Sequence, residues 1–253
     1  MFPTLFISHG APNIILGNSY SKNNIRKFAL TLQKPKYIII FSAHYQTNDL
    51  KIINFNTKDL MYDFYGFEDD LYKFKYKISS DKDISLKIIE ELKKHTINIE
   101  IDKQRTSYDH GVWTTLSMMY KNLDIPIIQL SIPKKYTAEE LINLGEILKE
   151  FKDDAMIICT GGITHNLSKA SRYNAVDKDA YIFNQKIVEI INNADDKELL
   201  SILKKELFLK NHPSSEHFMS LYIAFGNAFN KKGKSFNHEI QLSSISMESF
   251  IFD

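Results

Sequence analysis

Two strand-like runs of the sequence each end in a serine followed closely by a histidine. The first ends in Ser8-His9-Gly10 and the second in Ser42-Ala43-His44, and a third histidine, His165, follows an apolar run and two glycines. Neutral imidazole is the commonest metal ligand in proteins. Two or three such ligands leave coordination positions open for a reactant, as in non-haem iron oxygen chemistry and zinc hydrolysis. The pattern therefore favours a metal site, and it leaves the metal undecided.

The other five histidines divide into two groups. His110, His212 and His217 stand at predicted helix starts, and any one of them could equally be a core histidine held by hydrogen bonds. His95 and His238 lie in polar surroundings, so they are predicted to face solvent without a role. Several histidines at the ends of predicted strands and helices are much harder to explain by core packing alone.

These side chains meet only if the elements that carry them converge. Continuous, isoleucine-rich runs are typical of strands covered on both faces. Such strands are predicted at Thr4–Ser8, Tyr37–Ser42, Lys51–Asn54, Asn98–Ile101, Ile125–Ile132 and Ala155–Thr160, with a late strand within Ile240–Phe250. Helices are predicted at Ser85–His95, Gly111–Lys121, Thr137–Lys149, Asp179–Asn192, Lys197–Leu207 and Glu216–Phe229.

Alternation of these strands and helices indicates an α/β fold. We expect a single layered domain over residues 1–253, with a central, largely parallel or mixed sheet flanked by helices. Ligands of open α/β sheets bind outside the carboxyl ends of the strands, so the strand-end histidines are predicted to share one place. The aromatic and charged stretch Phe55–Ser80 lacks periodicity and is predicted to be a long surface excursion.

Composition narrows the class of protein. The 253 residues are 43% hydrophobic and 25% charged, and 32 Lys and Arg nearly balance 31 Asp and Glu, so a nucleic-acid partner is not expected. The lone cysteine, Cys159, rules out a disulfide within the chain. No signal peptide or membrane span is expected, and the predicted location is the cytoplasm. The oligomeric state is left open, with a homo-oligomer as one option.

Seven motifs in the same order give the chain a resemblance to a known family. Together they are similar to class III extradiol ring-cleavage dioxygenases of the DOPA-dioxygenase type, over nearly the whole chain. The motifs are Ser8–Pro12, Ser42–Tyr45, Tyr62–Phe67, Asp109–Trp113, Ile125–Ser131, Gly161–Leu167 and Pro213–Phe218.

The resemblance implies an enzyme that opens a small catechol ring beside its hydroxyls with O2. It implies His9, His44 and His217 as metal ligands, with Glu216 as the rival to His217. Fe(II) is the implied metal and Zn(II) another occupant. His165 would be the acid–base residue close to the metal, and a fourth ligand in some states.

The resemblance and the chemistry together suggest the remaining site residues. His110 would line the substrate pocket, with its ring oriented by Asp109. An apolar wall for an aromatic ring is expected from Tyr45, Tyr65, Phe67 and Trp113, although each could equally be a core residue.

Two departures from the family pattern lie near the expected pocket mouth. Tyr45 stands where relatives often have tryptophan, and Tyr76–Ser80 replaces a Pro-Ala-Pro-Gly segment. These departures affect the predicted substrate more than the predicted metal site. Two alternatives to the dioxygenase therefore stand: a zinc-dependent hydrolase on the same scaffold, and a binding protein that has lost its chemistry.

Overall fold

An eight-stranded mixed sheet lies at the centre of the structure, a computed structural model that describes residues 1–253. Its strands are β1 (Thr4–Ser8), β2 (Tyr37–Thr47), β3 (Lys51–Ile53), β5 (Glu100–Asp102), β7 (Ile127–Pro133), β8 (Ala155–Gly161), β9 (Gly233–Asn237) and β12 (Ser249–Phe252). Two small two-stranded sheets pair β4 (Asp59–Leu60) with β6 (Ser107–Tyr108), and β10 (Ile240–Gln241) with β11 (Ile245–Ser246).

The strand order of the large sheet is β5-β3-β7-β2-β8-β1-β12-β9. The four central strands β7, β2, β8 and β1 are mutually parallel, whereas β12 and β9 add antiparallel pairs at one edge. At the other edge β3 is antiparallel to β7 and parallel to β5. The central strands are buried on both faces, as continuous isoleucine runs require. The predicted α/β fold with a mixed sheet is confirmed.

Helices cover both faces of the sheet. They are α1 (Tyr20–Ala29), α2 (Asp69–Lys73), α3 (Lys82–Lys94), α4 (His110–Met119), α5 (Ala138–Ile147), α6 (Lys178–Asn193), α7 (Asp196–Ser201), α8 (Glu206–Asn211) and α9 (Glu216–Asn227). Side chains of α3, α5, α6 and α9 form one apolar core, and those of α1 and α4 form a second core on the opposite face. None of the helices combines the length and apolar content needed to cross a bilayer.

Local hydrogen bonds explain where several elements begin. Thr137 caps α5 in a capping box: its hydroxyl accepts from the Glu140 amide, and the Glu140 carboxylate accepts from the Thr137 amide. Helix α3 begins three residues before its predicted start because the Asp81 side chain accepts a hydrogen bond from the amide of Ile84. Caps therefore set the helix starts more closely than apolar periodicity does.

Two predicted elements are broken into shorter pieces. The helix predicted at Lys197–Leu207 is divided between α7, a 3₁₀ turn and α8, because Lys205 adopts an extended conformation between the turn and α8. The late strand predicted within Ile240–Phe250 is divided among β10, β11 and β12. Leu242 and Ser243 have positive φ angles of 48° and 65°, which fold the chain back on itself.

The backbones of α5 and α9 come into close contact through two glycines. A Cβ atom on Gly226 would collide with the carbonyl group of Ile142, and one on Gly145 would collide with the carbonyl oxygen of Ile223. Because α9 carries His217 as its second residue, this contact also fixes the depth at which that imidazole lies.

We expect Gly226→Ala to lower the free energy of unfolding by about 1–3 kcal/mol, because the added methyl group forces two backbones apart. Thermal unfolding should show a melting temperature lower by about 2–4 °C per kcal/mol in a chain of this length. Gly17→Ala is the matched control, since a Cβ there has no neighbouring atom within 4 Å. Equal melting temperatures of the two variants would contradict the packing described for α5 and α9.

Candidate active site

Three imidazoles converge at the carboxyl ends of the central strands. His9 follows β1 directly, His44 lies near the end of β2, and β1 and β2 flank β8 on its two sides. His217 arrives from the start of α9. The ring centroids are 5.0 Å apart for His9 and His44, 5.3 Å for His9 and His217, and 4.9 Å for His44 and His217. Imidazoles that share one divalent ion at about 2.1 Å from nitrogen have centroids about 5 Å apart.

The Nε2 atoms of His9, His44 and His217 are buried and have no hydrogen-bond partner. Each Nδ1 atom, in contrast, faces an oxygen acceptor. Nδ1 of His9 lies 2.8 Å from the Gly10 carbonyl oxygen, and Nδ1 of His217 lies 3.0 Å from a carboxylate oxygen of Glu216. These acceptors favour the tautomer with the proton on Nδ1, which leaves the Nε2 lone pairs free.

The third acceptor is Asp63, whose carboxylate lies 3.6 Å from Nδ1 of His44. Burial lowers the pKa of His44 to about 4, helped by the neighbouring His110, and lowers the pKa of His9 and His217 well below the usual range. All three rings are therefore neutral near pH 7. Three buried, unpartnered acceptor nitrogens are costly without a ligand, and they fit a divalent metal with open coordination positions.

Distances between ligand atoms pick out two groupings that differ from His9, His44 and His217. Ligand atoms of His9, His44 and His110 lie within 4.8 Å of one another, as do those of His165, Glu216 and His217. The ring geometry argues against both. The centroids of His44 and His110 are only 3.9 Å apart, and the rings of His165 and His217 stack in parallel at 3.4 Å. Two rings this close together do not both direct a nitrogen to one shared metal ion.

Glu216, considered in the sequence as a rival ligand to His217, bonds to that histidine instead. Its Oε1 accepts from Nδ1 of His217 and, at 2.9 Å, from the hydroxyl of Ser214. A carboxylate in this position orients the imidazole and increases its basicity.

His110 is oriented by Asp63. The Asp63 carboxylate lies 3.0 Å from Nδ1 of His110 and accepts from the His110 amide at 2.9 Å. The expectation that Asp109 orients this ring does not match the geometry, because the Asp109 side chain turns away to cap α4. Asp63 lies within the Tyr62–Phe67 motif. An acidic residue among aromatic residues is the sequence signal that could have identified it.

Asp109 is fully buried in a polar network behind the site. Its carboxylate accepts from Arg105 and from the Gln129 amide at 2.6 Å each, and from the Ser42 hydroxyl at 2.6 Å. Because Ser42 lies two residues before His44 in β2, this network fixes the end of the strand that carries a converging imidazole. Asp109 supports the site from behind and does not line the cavity.

A cavity of about 210 Å³ opens onto the converging imidazoles. His165 and His110 both line it, and burial lowers the pKa of His165. The ring of Phe64 meets His110 edge to face at a centroid distance of 5.5 Å, and Phe67 lines the cavity beside it. A flat aromatic molecule can therefore contact the imidazoles and an aromatic wall together.

Three of the four side chains expected to form that wall lie elsewhere. Tyr45 is buried, and its hydroxyl donates to the Asp102 carboxylate at 3.0 Å. Tyr65 is 92% exposed and does not line the cavity. Trp113 is fully buried in the second core, where its indole N–H donates to the Met61 carbonyl at 2.9 Å. Phe67, the fourth residue expected in the wall, does line the cavity, and Phe64 is the wall residue that sequence reasoning missed.

Two glycines allow the backbone to approach the site. Gly10 has a positive φ of 64°, which turns the chain immediately after His9 and brings its carbonyl to that ring. A Cβ atom on Gly161 would collide with the carbonyl oxygen of His217, so the end of β8 tolerates only glycine beside the start of α9.

The remaining histidines lie outside the cavity. His212 is buried, and its Nε2 lies 2.7 Å from the carbonyl oxygen of Ile163. His95 and His238 have side chains that are 44% and 63% exposed, although His238 also pairs with the buried carboxylate of Glu248.

Comparison with known proteins identifies relatives of the whole chain. A family described as the catalytic LigB subunit of aromatic ring-opening dioxygenase matches residues 5–252. The 4,5-DOPA dioxygenase extradiol of Beta vulgaris is 32% identical over 232 residues, which cover 89% of this chain and 86% of that protein. The Escherichia coli K12 protein of the same name is 27% identical and covers 88% and 84%.

The fold has a counterpart among solved structures. The crystal structure of an uncharacterized protein from Escherichia coli K12 matches with a TM-score of 0.84 at 25% identity, over all of both chains. The sheet and the helices that carry the histidines are thus part of an architecture shared with that protein.

Proposed function

Because this chain belongs to the LigB family and is an extradiol ring-cleavage dioxygenase, we propose that it opens a small catechol with O2 at a divalent metal. His9, His44 and His217 are the proposed ligands. The observation that carries the proposal is that their three Nε2 atoms are buried and unpartnered, on rings whose centroids lie 4.9–5.3 Å apart. The family match favours ring opening over the zinc-hydrolase alternative.

Fe(II) is the proposed metal, and Zn(II) is the alternative occupant. A metal bound by three imidazoles would supply open positions on which two adjacent catechol oxygens and O2 are brought together. The neutral state of the three rings supports such binding, because a protonated imidazole offers no lone pair.

His165 is the proposed acid–base residue. Its ring lines the cavity and stacks on His217 at 3.4 Å, so it lies next to any catechol hydroxyl held at the ligands. Burial lowers its pKa, which keeps the ring neutral at pH 7 and able to accept a proton from that hydroxyl. The same proton can return to the product as the ring opens into an aldehyde and a carboxylate.

His110 and the aromatic wall are proposed to position the substrate. With Nδ1 bonded to Asp63, the other ring nitrogen of His110 is available to a substrate oxygen. Phe64 and Phe67 would contact the flat face or edge of the catechol ring.

We propose residues 1–253 as one catalytic domain, because the first and last strands of the large sheet, β1 and β12, pair with each other. The cytoplasm is the proposed compartment. The fully buried thiol of Cys159, whose pKa burial raises, fits a packing role without disulfide chemistry.

Anaerobic reconstitution tests the proposed function. The protein is loaded with Fe(II), mixed with a panel of catechols, and then given O2 while oxygen uptake and the absorbance of a yellow ring-opened semialdehyde are followed. Metal analysis after expression with both iron and zinc available identifies the occupant. Iron bound at one equivalent with no product from any catechol would overturn the proposal.

Asp63→Asn should weaken metal binding and turnover, each by about 10–100-fold, as is typical when a partner behind a ligating histidine is lost. One carboxylate oxygen of Asp63 faces Nδ1 of His110 and the other faces Nδ1 of His44. An asparagine side chain keeps only one acceptor oxygen, so it cannot replace both contacts. Metal content and initial rates measure the effect, with the exposed Asp59→Asn as control. Wild-type values in the Asp63 variant would show that the carboxylate has no orienting role.

A further inference from the structure

We infer that, among catechols with short ring substituents, the cavity selects those whose substituents are uncharged. This inference rests on the proposed function and names the substrate class for the same site. It comes from the side chains around the converging imidazoles and from the hydrogen bonds that those side chains already make.

Apart from its histidines, the cavity is lined by no ionisable side chain. Lysine, arginine, aspartate and glutamate are all absent from its lining. Beyond the imidazoles the walls are mainly apolar, with Phe64 and Phe67 on one side and Leu167, Leu242 and Ile245 on another. A carboxylate or ammonium group carried into this space would lose its hydration and gain no ion-pair partner.

The two hydroxyl groups of the lining are already used. Thr164 donates its hydroxyl hydrogen to the Ser244 carbonyl at 2.7 Å and accepts from the Ser246 amide at 2.8 Å. Ser246 donates to the Asn184 side-chain oxygen at 2.5 Å and accepts from the Glu248 amide at 3.0 Å. Neither hydroxyl retains a hydrogen that could be donated to a substrate carboxylate.

The neighbouring charged side chains lie outside the cavity. Arg172 and Glu239 line a separate open groove that shares only Ala11 and Leu242 with the cavity. Glu239 already accepts hydrogen bonds from the amide and hydroxyl of Ser21 and from the side-chain amide of Gln241. A short charged substituent on a catechol ring held at the imidazoles therefore stays within the apolar walls.

Paired substrates of matched shape test this inference. In 4-isobutylcatechol and 3,4-dihydroxyphenylacetate, a branched alkyl group and a carboxymethyl group of similar size stand at the same ring position. We expect kcat/KM to be at least about tenfold higher for the neutral compound, given the cost of burying an unpaired charge. Anaerobic calorimetry on the iron-loaded protein should show the same order in Kd, without any turnover.

A designed cation provides the second arm. Leu167 is 64% exposed at the cavity, so Leu167→Arg can be introduced without filling the core. We expect Leu167→Arg to raise the ratio of kcat/KM for the charged compound to that for the neutral compound by several-fold. The control Leu167→Gln, which is polar but uncharged, should leave the ratio near the wild-type value.

The outcomes separate the two proposals. Equal or better binding and turnover of the carboxylated catechol by the wild-type protein would overturn the selectivity and leave the dioxygenase function intact. An unchanged ratio in folded Leu167→Arg would also count against it. Failure of iron-loaded protein to turn over either compound or any other catechol would overturn the proposed function, and the inference with it.

Discussion

Replacement of any one of His9, His44 and His217 with alanine should abolish metal retention and reduce dioxygenase turnover to background. Each variant removes one of three nitrogens that are buried and lack any partner in the protein. Losing a group that hydrogen-bonds a metal ligand typically lowers metal affinity by about 10–100-fold. Losing a ligand should lower the affinity further, because the metal itself loses a bond. Metal content per chain after desalting, measured with initial rates, tests this.

Two matched histidine variants make the experiment discriminating. His95→Ala removes an exposed imidazole and should keep both metal and activity. His110→Ala should keep the metal and lose rate, although His110 lies within 4.8 Å of the first two ligands. Loss of metal from His110→Ala together with retention in His217→Ala would replace the proposed ligand set with His9, His44 and His110.

His165→Ala should keep the metal and lose about 10²–10⁴-fold in turnover, the range expected for removal of a general acid–base residue. The imidazole of His165 stacks on His217 in parallel, so it can reach a substrate hydroxyl without sharing the bond directions of the ligands. Metal analysis and steady-state rates on the same preparation separate the two effects. Added imidazole should restore part of the lost rate by entering the vacated space.

The control for this prediction is His212→Ala, which removes a buried imidazole that contacts the Ile163 carbonyl and does not line the cavity. That variant should lose stability more than it loses rate per folded, metal-loaded molecule. Full turnover in metal-loaded His165→Ala would contradict the acid–base role, and loss of the metal from it would instead make His165 a ligand.

The convergence of the histidines could be predicted because strand ends are local features. Apolar runs mark β1, β2 and β8, and parallel packing brings the residues after them to one edge. His217 needed more than periodicity, since its helix approaches from a distant part of the chain. Its place in the ligand set came from the family resemblance.

The orienting carboxylate was missed because the relevant contact is tertiary. Asp63 lies 47 residues before His110, in a stretch without helical or strand periodicity. Asp109 is adjacent to His110 in sequence, yet a residue at a helix N-cap directs its side chain to the helix amides. Adjacency along the chain therefore gave the wrong partner.

Only part of the aromatic wall was predicted from the sequence: Phe67 lines the cavity, but Tyr45, Tyr65 and Trp113 do not. Of the neighbours Phe64 and Tyr65, only Phe64 lines the cavity, and Tyr65 is 92% exposed. Composition cannot decide which of the two it is. Trp113 lies on the face of α4 that packs into the second core, so it does not reach the cavity.

The location of bound iron tests the central claim most directly. Crystals grown with Fe(II) under argon, with anomalous diffraction recorded at the iron absorption edge, give the metal position independently of activity. We predict a single strong peak about 2.0–2.3 Å from the Nε2 atoms of His9, His44 and His217. A peak bound instead by His110, or by Glu216 with His165, would contradict the account of this site.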